Sequence, residues 1–344
     1  MKRRISLAAI AAGSLGMAGF TVPAAADAVS DFYKGKTVTV VVAAGPGGGH
    51  TKYTQYLAPF LQKHMPGNPN FIVQNMGGAG GTKAANFLYS RGRKDGTMIG
   101  ILLSDTPLAS RLRTTGVKYV ASEFQFLGGA DQPRSAFVVF KSTGVKSLGE
   151  AKETEVILGS TGKGSQTYVL PTLVNSMLGT KFKVITGYRG MGGIYLAMDR
   201  SEVKGFQSSW SALKILRPHW VEKDMVNVLA VNALSPLKDR PGIPLLKDIV
   251  TNPKDKQVAE LLGGNMILGR GWLAPPDVPA DRVAALRAAF KKSFEDPDAV
   301  AGAKKRKMTW EAAAWQDMQA AAERITKTDQ AVIDRMQKAL GLKK

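Results

Sequence analysis

Four glycine runs, each following an apolar stretch and each opening a helical pattern, are the residues of this chain best placed to do chemistry. The first is Gly45-Pro46-Gly47-Gly48-Gly49-His50, and the second is Asn75-Met76-Gly77-Gly78-Ala79-Gly80-Gly81-Thr82. The third is Gly159-Ser160-Thr161-Gly162-Lys163-Gly164-Ser165, and the fourth runs from Thr186 through Tyr188, Arg189 and Gly190 to Gly193. The first turn of a helix has backbone N–H groups without partners and carries a partial positive charge. Glycine removes the Cβ atoms that would keep a ligand off that backbone, so the combination is a site for a small anion. Neither nucleotide motif fits. G-x-x-x-x-G-K-[ST] is absent, and the first run fails G-x-G-x-x-G because its last position is His50. One such run serves equally well as a tight turn without a ligand. Four of them, two in each half of the chain, point instead to an anion-binding cleft, because doubly wound sheets bind ligands outside the carboxyl ends of their strands.

Other chemistries are poorly served. The chain has no cysteine, which excludes disulfides, thiolate-held metals and thiol nucleophiles together. Its three histidines, His50, His64 and His219, show no metal-ligand spacing. His64 precedes Met65-Pro66-Gly67 and reads as a helix C-terminal residue, whereas His50 stands where a ligand would be. Ser165 follows a strand and opens a helix, but Thr167 stands where G-x-S-x-G requires glycine. No acid–base pair accompanies the glycine turns. Two classes therefore remain, a non-enzymatic solute receptor and an exported α/β hydrolase or transferase, and the missing acid–base pair discriminates between them. Tyr188, Trp210, Trp272 and Tyr195 could stack on an organic ligand, and Tyr188 stands first because it lies in a glycine turn. No cofactor or metal is expected.

The elements that must position these residues alternate. Strand patterns fall at 37–43, 70–74, 98–103, 136–140, 155–158, 182–185, 203–207 and 227–231. Helical patterns lie near 51–64, 80–90, 105–112, 147–152, 165–178, 191–200, 209–219 and 256–262. This alternation predicts βαβ units and mostly parallel sheets. Pro171 is expected to kink or shorten its helix. Residues 281–295 and 310–340 are long, Ala-rich and amphipathic, and read as helices on the outside of one domain. Residues 1–26 read as a signal peptide: Lys2-Arg3-Arg4, an apolar core, and Ala24-Ala25-Ala26 before Asp27. No other stretch reaches the ~20 apolar residues a membrane span needs, so an exported, soluble, periplasmic chain is expected. The 318 residues after the leader suit two domains. The formal charge of +20 is taken as a bias toward anionic ligands, and no nucleic-acid partner is expected. Lys304-Lys305-Arg306-Lys307 reads as a solvated loop or helix end.

The motifs also occur in a telling order. FYKGKTVTVVVAAGPGGG is followed by VQNMGGAGG, KDGTMIGI, GSTGKGS, Tyr188-Arg189-Gly190, SEVKGFQSSW, LKDRPGIPLLKD and GWLAPPDVPADRV. In this order, over nearly the whole mature chain, the sequence resembles the Bug family, the periplasmic substrate-binding proteins of tripartite tricarboxylate transporters. The resemblance implies a type II-like Venus flytrap, with one domain of residues 27–131 plus 232–344 and another of 132–231. It implies a small carboxylate held between the domains, a membrane permease as partner (or a sensor kinase), and a monomer. Carried over, the ligand-binding positions are Gly48, Gly49 and His50 from the first turn and Gly78, Ala79 and Gly80 from the second. Ser160, Thr161, Gly164 and Ser165 come from the third, with Tyr188 and Ser208 beside them and Ser104 and Asp105 on the floor. Two departures stand out: His50-Thr51-Lys52 replaces the family's acid after the glycine run, and Val203-Lys204 replaces a Val-Asp. With Lys163, these imply a cleft more cationic than is usual in the family.

Overall fold

The structure is a computed structural model that describes residues 24–113 and 115–342. The signal-peptide reading therefore falls mostly outside the described residues. The strands in chain order are β1 Thr37–Val42, β2 Asn70–Asn75, β3 Met98–Ile101, β4 Gln125–Gly129, β5 Ser135–Phe140, β6 Val156–Ser160, β7 Phe182–Thr186, β8 Gly205–Ser209, β9 Val226–Asn232 and β10 Gly271–Ala274. They form two five-stranded sheets, ordered β2-β1-β3-β10-β4 and β7-β6-β8-β5-β9. In the first sheet β1 pairs in parallel with β2 and β3, and β10 lies antiparallel between β3 and β4. The second sheet repeats the plan: β6 is parallel to β7 and β8, and β5 lies antiparallel between β8 and β9. Each sheet is thus mixed, with four strands running one way. The reversed strand in each is the first that the chain forms after passing from one sheet to the other.

Local sequence explains most of this. β1 reads TVTVVV and all but Thr37 are buried, as expected of a β-branched run covered on both faces. The reading missed β4 (QFLGG) and β10 (GWLA), whose glycines look like turn signals. Here the glycines admit neighbours: a Cβ at Gly128 would lie 2.6 Å from the Phe290 ring, and one at Gly271 would lie 2.1 Å from Met318 Cε. The same close approach seats helices Ala280–Glu295 and Trp315–Thr326 on the first sheet.

Three helical expectations need correction. Pro171 neither shortens nor ends its helix, which spans Gln166–Leu178. The side chains of Leu170, Leu173 and Val174 on this helix are buried, and tertiary packing of this kind outweighs intrinsic propensity. The 310–340 pattern divides into Trp315–Thr326 and Gln330–Ala339, the second capped by the Asp329 carboxylate on the Ala331 amide. An unanticipated helix, Pro297–Lys305, carries Lys304 and Lys305 in its last turn. Nor do the C-terminal helices stay on one side. Gln330–Ala339 touches helix Gln166–Leu178, which belongs to the second sheet. Through it, one hydrophobic cluster runs from Leu88 and Phe126 to Leu158 and Leu170, joining the two halves. Two further clusters belong to one sheet each.

Candidate ligand-binding cleft

Parallel strands deliver their carboxyl ends to one edge of a sheet, and here the two edges face each other. β1 leads through the first glycine run into helix Gly49–His64, and β2 through the second into Thr82–Arg91. β6 and β7 lead likewise into Gln166–Leu178 and Gly190–Asp199. Between the edges lies a cleft of ≈ 530 Å³, a size that suits a small molecule. From the first half, Gly48, Gly49, His50, Gly78, Gly80, Ser104 and Asp105 line it. Thr161, Ser165, Tyr188 and Ser208 line it from the second. Three expected positions are not on the walls. Ala79 is exposed, Ser160 is buried with its hydroxyl bonded to Thr167 Oγ1 at 2.9 Å, and Gly164 lies under Arg113. Trp210, Tyr195 and Trp272 belong to the hydrophobic cores.

The glycines serve two different ends. Gly48 has φ −81° and ψ 167°, an extended conformation open to any residue. A Cβ there would meet only the Gly45 carbonyl oxygen, at 3.6 Å, so its lack of a side chain matters on the cleft side. Gly80 is different. Its φ is +62°, and a Cβ would lie 2.4 Å from the Gly164 carbonyl carbon. A Cβ on Gly190 would meet Gly45 N at 3.8 Å, an ordinary contact. At these contacts the turns of the two halves meet backbone to backbone, and at Gly80 a side chain would collide with the facing backbone.

A buried polar group forms the floor. Arg270, 1% exposed, donates from Nε to Asp131 Oδ2 at 3.3 Å and from Nη2 to Ser209 Oγ at 3.4 Å. Its guanidinium lies over the Tyr53 ring, 4.3 Å from the centroid, a cation–π contact. Ser211 Oγ donates to the same Asp131 oxygen at 2.8 Å. Burial pushes the Asp131 carboxyl up, while Arg270 and Ser211 oppose the shift. His50 Nδ1 stands 3.4 Å from Arg270 Nη1. Burial, reinforced by Arg270, drives the His50 pKa down to about 3. The imidazole is therefore neutral at physiological pH, and Nδ1 accepts from the guanidinium.

These facts correct the electrostatic expectation. Lys52 and Lys163 are exposed and lie off the walls, and His50 adds no charge. The cations on the walls are Arg270 and, in the exposed fourth turn, Arg189. Sequence reasoning missed Arg270, Ser209 and Gln166 as wall residues and Asp131 behind them. The one available signal was Gly269-Arg270-Gly271, a cation between glycines at the start of β10.

Among the described residues no base is hydrogen-bonded to Ser165. Its hydroxyl donates to the Gly162 carbonyl at 3.0 Å and shares a 2.5 Å hydrogen bond with Thr167 Oγ1. Thr167 Oγ1 also accepts from the Thr161 amide at 3.1 Å, so these hydroxyls brace the third turn. Asp105 behaves otherwise. It occupies the N-cap position of helix Thr106–Leu112, yet its side chain makes no cap hydrogen bond. Burial raises its pKa to about 7, partly opposed by its own amide, by Arg113 and by the Gln166 amide across the cleft.

No protein-family model matches the chain, and no curated protein sequence matches it either. Solved structures do. The periplasmic binding protein BugD superposes with a TM-score of 0.71 at 18% identity, covering 90% of this chain and 99% of its own. The chain has the fold of a periplasmic binding protein. Two further proteins with this fold are Rpa4515 of R. palustris, solved with adipate, and MatC of Rhodopseudomonas palustris, with bound malate. Rpa4515 matches with a TM-score of 0.68 at 19% identity, over 89% of this chain and 97% of its own. MatC matches at 0.66 and 19%, over 89% and 99%. In this periplasmic-binding-protein fold the two sheets face each other across the cleft already described.

Proposed function

We propose that this chain is an exported solute-binding protein of the Bug type, which captures a small organic carboxylate between its two halves. It then delivers the ligand to the permease of a tripartite tricarboxylate-type transporter. The observation that carries this reading is the cleft itself, walled by four glycine turns at helix N-termini and closed where backbones from both halves touch. The ordered motifs of the sequence and the adipate and malate held by two proteins of the same fold support it. The proposed domains are residues 27–131 plus 232–344 and residues 132–231, and the proposed leader is 1–26. The role is binding rather than catalysis: Ser165 is held by Gly162 and Thr167, and the only histidine on the walls is neutral and engaged with Arg270.

The test is to purify the protein natively and identify co-eluting small acids by mass spectrometry, followed by a thermal-shift screen of carboxylates against neutral sugars. A ligand at 100 times its Kd adds about 2.7 kcal/mol of stability. Stabilisation by carboxylates is the expected result, and stabilisation by sugars alone would overturn the reading.

A further inference from the structure

Asp105 is a buried charged group on the cleft wall that no cation matches among the described residues. It follows the end of β3 and starts helix Thr106–Leu112, yet its carboxyl does not cap that helix. The residue is 6% exposed, it lines the cleft, and Oδ2 is shielded from solvent without a hydrogen-bond partner. Its charged and titratable neighbours are Arg113, at the far end of the same helix, and Tyr119. Neither neutralises it. Arg113 donates from Nη1 to Thr82 Oγ1 at 2.8 Å, Tyr119 donates to the Thr106 carbonyl at 2.9 Å, and among the described residues no cation lies within ion-pair distance of Asp105. Arg270, the buried cation on the same walls, is already matched by Asp131. The Gln166 amide favours the charged carboxyl, but a buried carboxylate with one oxygen unpartnered and no cation against it is still costly, and an asparagine or serine would cap the helix without that cost.

Resting on the carboxylate-binding reading, we propose that Asp105 is a specificity-determining residue, selecting acids that also carry a hydrogen-bond donor, a protonated amine above all and a hydroxyl second. The ligand's carboxylate would lie at the glycine turns, and its amine would meet the unpartnered oxygen of Asp105. The cleft would then be complementary to a small amino or hydroxy acid rather than to a plain dicarboxylate. A pKa near 7 for this carboxyl adds a pH signature. The amine-bearing acid needs Asp105 ionised and should bind more tightly as pH rises through neutrality. A plain dicarboxylate placed against it needs Asp105 protonated and should show the opposite trend.

Calorimetric titration with matched acids tests this: succinate, malate and aspartate, then glutarate, 2-hydroxyglutarate and glutamate, each at pH 5.5 and pH 8. At pH 8 at least one amine-bearing acid should bind tenfold or more tightly than its parent, with the hydroxy acid between them, and the gap should shrink at pH 5.5. Asp105→Asn, and Asp105→Ser as a second capping variant, should abolish the preference, so that at pH 8 the amino, hydroxy and parent acids bind alike. Melting curves for both variants check that they fold. Parent acids binding as tightly as their amino counterparts at pH 8, or a preference that survives in a folded Asp105→Asn, would overturn the assignment and leave the carboxylate reading standing. Failure of all six acids and of every other carboxylate to bind would overturn both.

Discussion

Gly48 and Gly80 look alike in the sequence and differ in what a methyl group would do to them. At Gly48 the backbone is extended and the nearest obstacle to a Cβ is 3.6 Å away, so Gly48→Val should fold without the backbone strain that a positive φ would impose. Its branched side chain would occupy the cleft, so calorimetry should detect no carboxylate binding. Gly80→Ala is expected to act by another route. With φ +62° and the Gly164 backbone 2.4 Å from the new Cβ, it strains the turn by roughly 1–2 kcal/mol and wedges the halves apart. Affinity should fall although the methyl group faces protein rather than ligand. Normal affinity in both folded variants would make these loops mere turns. Arg270 is a different case, because removing one member of a buried ion pair leaves the other uncompensated. Arg270→Met should cost about 3–5 kcal/mol in urea unfolding, and adding Asp131→Asn should recover part of that loss.

At the scale of elements, the sequence was most readable where one residue type carried the whole signal. The β-branched run of β1 and the glycine turns behind four strands announced themselves, and with them most of the cleft wall. β4 and β10 did not, because their glycines serve the approach of Phe290 and Met318 rather than a turn, and no local pattern reveals what packs from outside. The floor was illegible for a related reason: Arg270 and Asp131 meet across a separation of 139 residues. Spacing along a chain says nothing about such a pair. The break at 327–329 was readable in principle, since Asp329 stands where an N-cap belongs. That cap gives a test. Asp329→Ala should destabilise helix Gln330–Ala339 by about 0.5–2 kcal/mol, seen as earlier amide exchange in that helix than in helix Trp315–Thr326.

Across the whole molecule, the halves are held together by the shared hydrophobic cluster, by side-chain hydrogen bonds such as Ser211 to Asp131, and by the glycine contacts. The Gln330–Ala339 helix packs on both halves away from the cleft, whereas the glycine contacts lie at the cleft mouth, so opening of the cleft is expected to break the second and spare the first. A ligand that bridges the walls therefore favours the shut arrangement by its differential affinity for it. Small-angle scattering should show a smaller radius of gyration with a bound carboxylate than without. Gly80→Ala should weaken that contraction, whereas Asp329→Ala should not. Under the proposed binding role, the meeting of Gly80 with Gly164 also bears on how fast ligand is exchanged. Side chains that interlock across a closing seam lose rotamer freedom, at about 0.5–1.5 kcal/mol for each long one, and must unlock before the ligand can leave. Where the Gly80 and Gly164 backbones meet there are no rotamers to freeze, so under the proposed role this part of the seam adds no side-chain repacking to ligand release.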